Sequence, residues 1–285
     1  MSEKKISLIL CYARSGGTLL NKYLTSIKNL VVLSESHPIH NEKGGIFSIK
    51  NQAKNWYGIK ISSDEYFQQI IDIKKWCDEN NKHLILRDWS YIDFNKSYLN
   101  NNLPLMASKN INLLKENNIE FNKIGFIRDG IDVYLSQDKN IKIFSKQYFK
   151  FLKYLKNNKI KVFKFEDFLI NPSEQISKIL KELNIDAKFN LDDVNLDRAS
   201  RNVVGDTVFS RGNILGHTKQ LKRRHVWWFK KHNINREIDL IDANSLFNYP
   251  TNYNSKETET LIEYSIFLLK LFLNYFRRIK QKLLN

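Results

Sequence analysis

Cysteine, proline and glycine are scarce in this chain: 2, 4 and 10 of its 285 residues. Few glycines and prolines exclude a collagen-like or linker-dominated polypeptide. The two cysteines, Cys11 and Cys77, are far apart and fit no zinc or disulfide spacing. Cys11 lies in a strand-like run and reads as a small core residue. No stretch of about 18 uncharged apolar residues occurs, so no transmembrane span is expected. Met1-Ser-Glu-Lys-Lys leads directly into an apolar strand without an apolar leader or small-residue cleavage site. No signal peptide and a reducing, cytoplasmic setting are therefore expected. Acidic residues are outnumbered, 30 Asp+Glu against 46 Lys+Arg, leaving a formal charge of +16. Against these shortages stand 42% apolar and 13% aromatic residues, enough to build a core. The charge excess asks for an acidic partner, and composition does not choose among nucleic acid, an anionic membrane face and a polyanionic ligand.

Short apolar runs alternate with helical patterns. Ile6–Tyr12, Leu30–Leu33, His83–Leu86, Lys123–Ile127 and Lys159–Phe165 read as strands. Helices are expected over Thr18–Ser26, Asp64–Asn80, Gly130–Gln137, Ile143–Asn157 and Pro172–Leu183, the last capped by Asn171. This alternation implies an α/β fold: a central parallel sheet of about five strands flanked by helices. The whole chain, 1–285, reads as a single domain, with a loop-rich part at 186–254 and a terminal helix at 255–284. Ligands of such sheets bind at the carboxyl ends of the strands. Arg14, Glu35, Arg87-Asp88, Arg128-Asp129 and Glu166-Asp167 cluster there.

Cys11-Tyr-Ala-Arg-Ser-Gly-Gly-Thr-Leu-Leu joins the first strand to the first helix. Glycines let backbone N–H groups converge on an anion, and a helix N-terminus adds a positive field. Ser15 or Thr18 adds a hydroxyl donor, and Arg14 a fixed charge. This is a phosphate cradle. It is not a nucleoside triphosphatase loop, because the chain has no Gly-Lys dipeptide, and Gly-x-Gly-x-x-Gly is absent too.

Tyr12-Ala-Arg-Ser-Gly-Gly-Thr-Leu-Leu resembles the 5′-phosphosulfate loop of sulfotransferases that use 3′-phosphoadenosine 5′-phosphosulfate, where Pro-Arg-Ser-Gly-Thr-Thr-Leu is common. Ala13 stands for the proline and Gly17 for a threonine. Phe126-Ile-Arg-Asp-Gly-Ile-Asp-Val-Tyr-Leu-Ser-Gln is similar to the family's 3′-phosphate motif, with Arg128 and Ser136 at the family's spacing and Gly130 in place of the usual proline. Val162–Pro172 resembles the family's strand ending in Glu-Asp-Leu before an Asn-Pro helix start, where Glu166 and Asp167 read as structural. Ser210-Arg-Gly-Asn is a looser match to the Arg-x-Gly element that closes over the 3′-phosphate. The resemblance spans roughly residues 6 to 220. It implies a sulfotransferase-like α/β fold, 3′-phosphoadenosine 5′-phosphosulfate as co-substrate, no metal, and donor-binding roles for Arg14, Ser15, Gly16, Gly17, Thr18, Leu19, Arg128, Ser136, Arg211 and Gly212.

Sulfuryl transfer needs a general base for the acceptor hydroxyl, with positioning and cationic stabilisation carrying the rest. Arg14 suits the leaving phosphate. Glu35 is the first candidate base, matching by its distance from Arg14 the glutamate of the tyrosylprotein branch; Asp88 and His37 are the others. The acceptor expected is a saccharide or lipid-linked saccharide. Two other classes stay open: a nucleic-acid-binding protein, from the basic and aromatic run Lys219–Lys231, and an atypical P-loop kinase. Nucleic acid is not the expected partner. The terminal helix, apolar through Ile266–Phe276 with Arg277, Arg278, Lys280 and Lys282 after it, reads as a core or homodimer helix, or as a peripheral contact with the inner membrane face.

Overall fold

A computed structural model describes residues 5–43, 45–95, 107–137, 140–194, 226, 228–253, 260–262, 265, 266 and 269. Its strands are β1 (Ile6–Cys11), β2 (Leu30–Ser36), β3 (His83–Asp88), β4 (Phe121–Ile127) and β5 (Val162–Lys164). The helices are α1 (Gly17–Thr25), α2 (Pro38–Lys43), α3 (Ile49–Tyr57), α4 (Tyr66–Glu79), α5 (Ser90–Asp93) and α6 (Lys109–Glu116). They continue with α7 (Gly130–Leu135), α8 (Ile141–Asn157), α9 (Phe165–Ile170), α10 (Pro172–Glu182), α11 (Trp228–Arg236) and α12 (Ile238–Ser245). All strand pairs are parallel, in the order β2-β3-β1-β4-β5. The expected α/β architecture is the one found.

Side-chain alternation along β1 builds the two faces. Ile6, Leu8, Leu10 and Tyr12 enter one core with Leu84, Leu86, Ile127 and the inner faces of α4, α6 and α8. Ile9 and Cys11 enter the other with Val32, Ile85, Phe126, α1 and α10. Strand β1 is buried along its whole length, which is why its sequence is nearly all apolar, the one hydroxyl, Ser7, being bonded to His83 at 2.8 Å. Register matters for the site: Leu8 pairs with Leu86, and Ile9 with Arg87. The last two residues of β3 therefore point to opposite faces, Arg87 toward α1 and Asp88 toward α4 and α6.

Several expectations shift. Strand β2 runs on through Glu35 to Ser36, so Glu35 lies within its irregular end rather than after it. The fifth strand is only Val162–Lys164, because Lys159 takes a left-handed turn (φ 50°) and helix α9 begins at Phe165. Glu166 and Asp167 are thus first-turn residues of a helix, not strand-end residues. Within the region expected to be loop-rich, α11 and α12 are helical. Asn171 caps α10 through Glu174 N–H at 3.2 Å, as expected. Both cysteines are buried thiols, not joined in a disulfide. Arg211, Gly212, most of Lys219–Lys231 and most of the terminal helix lie outside the described residues. Among the described residues no helix is long and apolar enough to cross a membrane.

Candidate active site

In the order β2-β3-β1-β4-β5, β1 leads leftward to β2 while β4 leads rightward to β5. The chain diverges between β1 and β4, and a crevice at such a switch point is where an open parallel sheet takes a ligand. The loop after β1 and the end of β4 meet there. Arg128 Nη1 donates to the Arg14 carbonyl at 3.3 Å, and Gln137 Nε2 to the Ala13 carbonyl at 3.4 Å. The Arg128 guanidinium also lies over the Phe165 ring, 5.0 Å from its centre. The two segments singled out in sequence are therefore one structure in space.

The loop has an uncommon backbone. Arg14 (φ 70°) and Gly16 (φ 88°) are both left-handed. At Gly16 a Cβ would also lie 2.2 Å from the Phe165 ring, so only glycine fits. Gly16 occupies the N-cap of α1 without any side-chain cap, so no capping side chain competes with an anion at this helix N-terminus. Ser15 is fully buried, and its hydroxyl has no hydrogen-bond partner. Buried Arg128 Nε has none either. A buried polar atom left unpaired costs about 1–3 kcal/mol. Two of them beside one helix N-terminus fit an anionic group with oxygens for both. Arg14 itself is exposed, and Thr18 and Gly16 are half-buried at the loop's outer surface. Leu19 is buried and closes the first turn by donating to the Gly16 carbonyl at 3.0 Å.

Ser136 sits at the C-cap of α7, half-buried, with its hydroxyl donating to Val133 O at 2.7 Å. Arg128 is held from behind. Its carbonyl accepts from Tyr148, Asp129 N–H bonds Glu166 at 3.1 Å, and Glu166 accepts from Tyr249 at 2.8 Å. This supports the structural reading of Glu166. Gly130 N–H donates to Asn244 of α12 at 2.8 Å, a bond that a proline at this position could not make.

On the other side of β1, Glu35 is 8% exposed and left-handed (φ 49°), at the bulge where the β2–β3 register shifts between Leu33 and Ser36. His40 Nδ1–H donates to its carbonyl at 3.0 Å. Non-glycine residues in this region are strained unless the surroundings hold them, and such strain gathers at functional sites. Asp88 and His37 are placed differently. Asp88 is fully buried; Oδ1 accepts from Asn110 at 2.6 Å and Oδ2 from Ser90 at 2.6 Å. Burial, followed by the neighbouring Asp93 carboxylate, pushes its pKa up to about 7. His37 is also fully buried. Ile39 N–H donates to its Nδ1 at 3.2 Å, so Nε2 carries the proton and donates to Asp93 at 3.1 Å. Both are used up in holding the chain, and neither faces open space.

Arg87, which the sequence placed among the strand-end charges without a role, is 4% exposed beneath the loop. It donates to Ser34 Oγ, and its Nη2 lies 3.5 Å from Glu35 Oε1. Among the described residues no group of three His, Cys, Asp or Glu side chains is placed to hold a metal. A cleft of about 400 Å³ at the opposite, amino-terminal end of β1 is lined by Lys5, Lys74, Asp78 and Glu120. Both of its carboxylates are already paired, Glu120 with Lys5 and Asp78 with Lys74, and no strand carboxyl end opens into it.

No family model matches the chain, and no curated protein matches it in sequence. Solved structures do. It is similar to the sulfotransferase domain from the curacin biosynthetic pathway, at TM-score 0.49 and 12% identity over 86% of this chain and 98% of that one. It is similar to the sulfotransferase domain of the Synechococcus PCC 7002 olefin synthase, at TM-score 0.49 and 14% identity over 88% and 98%. A mouse sulfotransferase complexed with PAP is similar at TM-score 0.35 and 14% identity over 73% and 77%. At such identities the functional reading rests on the site's own residues.

Proposed function

We propose that the protein transfers a sulfuryl group from 3′-phosphoadenosine 5′-phosphosulfate to a hydroxyl of a saccharide or lipid-linked saccharide. One observation carries the proposal: the β1–α1 loop and Arg128 converge on a helix N-terminus where the buried Ser15 hydroxyl and Arg128 Nε have no protein partner. The loop amides, Ser15, Thr18 and Arg14 take the 5′-phosphosulfate, and Arg128 with Ser136 the 3′-phosphate. Glu35, alone of the three acidic or imidazole candidates in retaining some exposure, serves as base. The acceptor O–H proton passes to Glu35 as the oxygen–sulfur bond forms. The bond from sulfur to the bridging oxygen breaks, and adenosine 3′,5′-bisphosphate leaves with the electron pair, its charge met by Arg14.

Melting of the protein with adenosine 3′,5′-bisphosphate tests donor recognition. Ligand at 100 times its dissociation constant is expected to stabilise by about 2.7 kcal/mol. No shift at saturating ligand overturns the reading. A screen of saccharide acceptors with radiolabelled donor then identifies the product. Glu35→Gln is expected to lower transfer at least about 100-fold while nucleotide binding persists. Turnover near that of the unaltered protein would remove Glu35 as the base.

A further inference from the structure

Gly17 and Arg87 are 70 positions apart in sequence and share one space. A Cβ on Gly17 would lie 2.7 Å from Arg87 Nη1 and 2.8 Å from Cys11 Sγ. The guanidinium thus fills the room that a side chain at position 17 would need. From there its Nη2 reaches Ser34 Oγ and Glu35 Oε1, the latter at 3.5 Å, while its buried Nε has no partner. Cys11, also against Arg87, is pushed up to about 11 by burial and stays a neutral thiol near neutral pH, so Glu35 is the anion facing this cation. A buried guanidinium with an unpaired N–H and one carboxylate at this distance is poor as a stabilising device. It is well placed as a link, spanning from the first turn of α1 to the carboxylate at the end of β2.

We propose that Arg87 is the positioning residue of the base. It holds the Glu35 carboxylate in fixed relation to the phosphate loop, and glycine at position 17 is the condition for it to do so. The inference rests on the sulfuryl-transfer reading and adds to it a residue pair: glycine at 17 gives place to a cation from β3. By this account Arg87 acts through Glu35 rather than on the donor.

The test uses the full chain, Arg87→Met, Arg87→Lys, Gly17→Ala and the double variant Gly17→Ala with Arg87→Met. Release of adenosine 3′,5′-bisphosphate from the donor, with N-acetylglucosamine oligosaccharides as acceptor probe, gives kcat and KM. Calorimetry with adenosine 3′,5′-bisphosphate gives affinity. Arg87→Met is expected to lower kcat about 100-fold, the scale of a misplaced reacting group. Donor KM and nucleotide affinity should stay within about threefold. Arg87→Lys, which keeps the charge without the fork, should recover about tenfold of that loss. Gly17→Ala should lower kcat alone and cost clearly less in the Arg87→Met background, where only its contact with Cys11 Sγ remains, the non-additivity expected of a shared contact. The same pair should show it in stability, Gly17→Ala costing less in melting midpoint once Arg87 is replaced. Unchanged kcat in Arg87→Met, a loss confined to nucleotide affinity, or strictly additive losses overturn the role of Arg87 alone. Failure of the unaltered protein to bind adenosine 3′,5′-bisphosphate overturns the sulfuryl-transfer reading itself.

Discussion

The two sides of β1 carry buried polar groups in contrasting states. On the β2–β3 side, His37, Asp88, Asp93, Asn110 and Ser90 are all fully buried, and hydrogen bonds link every one. On the β4 side, the Ser15 hydroxyl and Arg128 Nε are buried with no protein partner. Both sides bring charged and polar residues to strand carboxyl ends, and in sequence they look alike. Satisfied groups fix the backbone, including the bulge that presents Glu35, since Asn110 bridges the Ser36 carbonyl at 2.9 Å and Asp88. Unsatisfied groups are the ones still able to bind. Arg87 belongs to neither class fully, which is what marks it as the link between them.

Substitution should separate the two sides. The largest effect is expected for Asp93→Ala, which strands the His37 Nε2–H and the Lys109 N–H, the latter now bonded at 3.1 Å. A loss of about 3 kcal/mol should lower the melting midpoint by about 5 °C, while the folded protein keeps its nucleotide affinity. Arg128→Ala should do the reverse, weakening adenosine 3′,5′-bisphosphate binding about 100-fold in calorimetry, with a smaller fall in the ligand-free midpoint than Asp93→Ala because only the Arg14 carbonyl bond and the Phe165 contact are lost. Ser15→Ala should weaken binding about tenfold and raise the ligand-free midpoint slightly, because no protein bond is lost and an unpaired buried hydroxyl is removed. Equal stability losses on both sides would abolish the contrast.

The smallest effect concerns pH. Burial raises Asp88 from 3.8 to about 7, so between those values the folded state holds the proton more tightly than the unfolded one. Stability from this group is complete below about pH 4 and declines as pH rises toward 7. The difference in melting midpoint between Asp88→Asn and the unaltered protein should therefore grow over that interval, in favour of the variant. A difference that is flat with pH would remove Asp88 as its source.

The strands were legible because β1, buried on both faces, is nearly all apolar, and the loop was legible because its glycines and Arg14 are close together in sequence. Less legible was whatever depends on residues distant in sequence. Strand β2 reads Leu-Val-Val-Leu-Ser-Glu-Ser, and nothing in that string shows a left-handed Glu35 or a register shift. Asp88 and His37 carry the right chemistry in short-range view, and only the arrival of Asn110 and Asp93 shows that they are enclosed. Arg87 gave one signal, a strand-end arginine alongside a glycine where the resembling family has threonine. It could be read only once β3 was known to lie beside β1. Helix α11, Trp-Phe-Lys-Lys-His-Asn-Ile-Asn-Arg, has too weak a periodicity to stand out.

The register of the sheet also sets an order of assembly. Strand β1 pairs with β3 and with β4, and its contact Ile6–Phe121 closes a loop of about a hundred residues. Such long-range parallel pairing is slow to form. During synthesis the loop after β1 leaves the ribosome early, yet Arg128 can reach the Arg14 carbonyl only after β4 has been made and docked. Until then this apolar strand has β3 at most beside it, and its other edge stays open to other chains. The binding crevice is thus among the last features to mature, and the interval before β4 arrives is when the molecule is most open to misassembly.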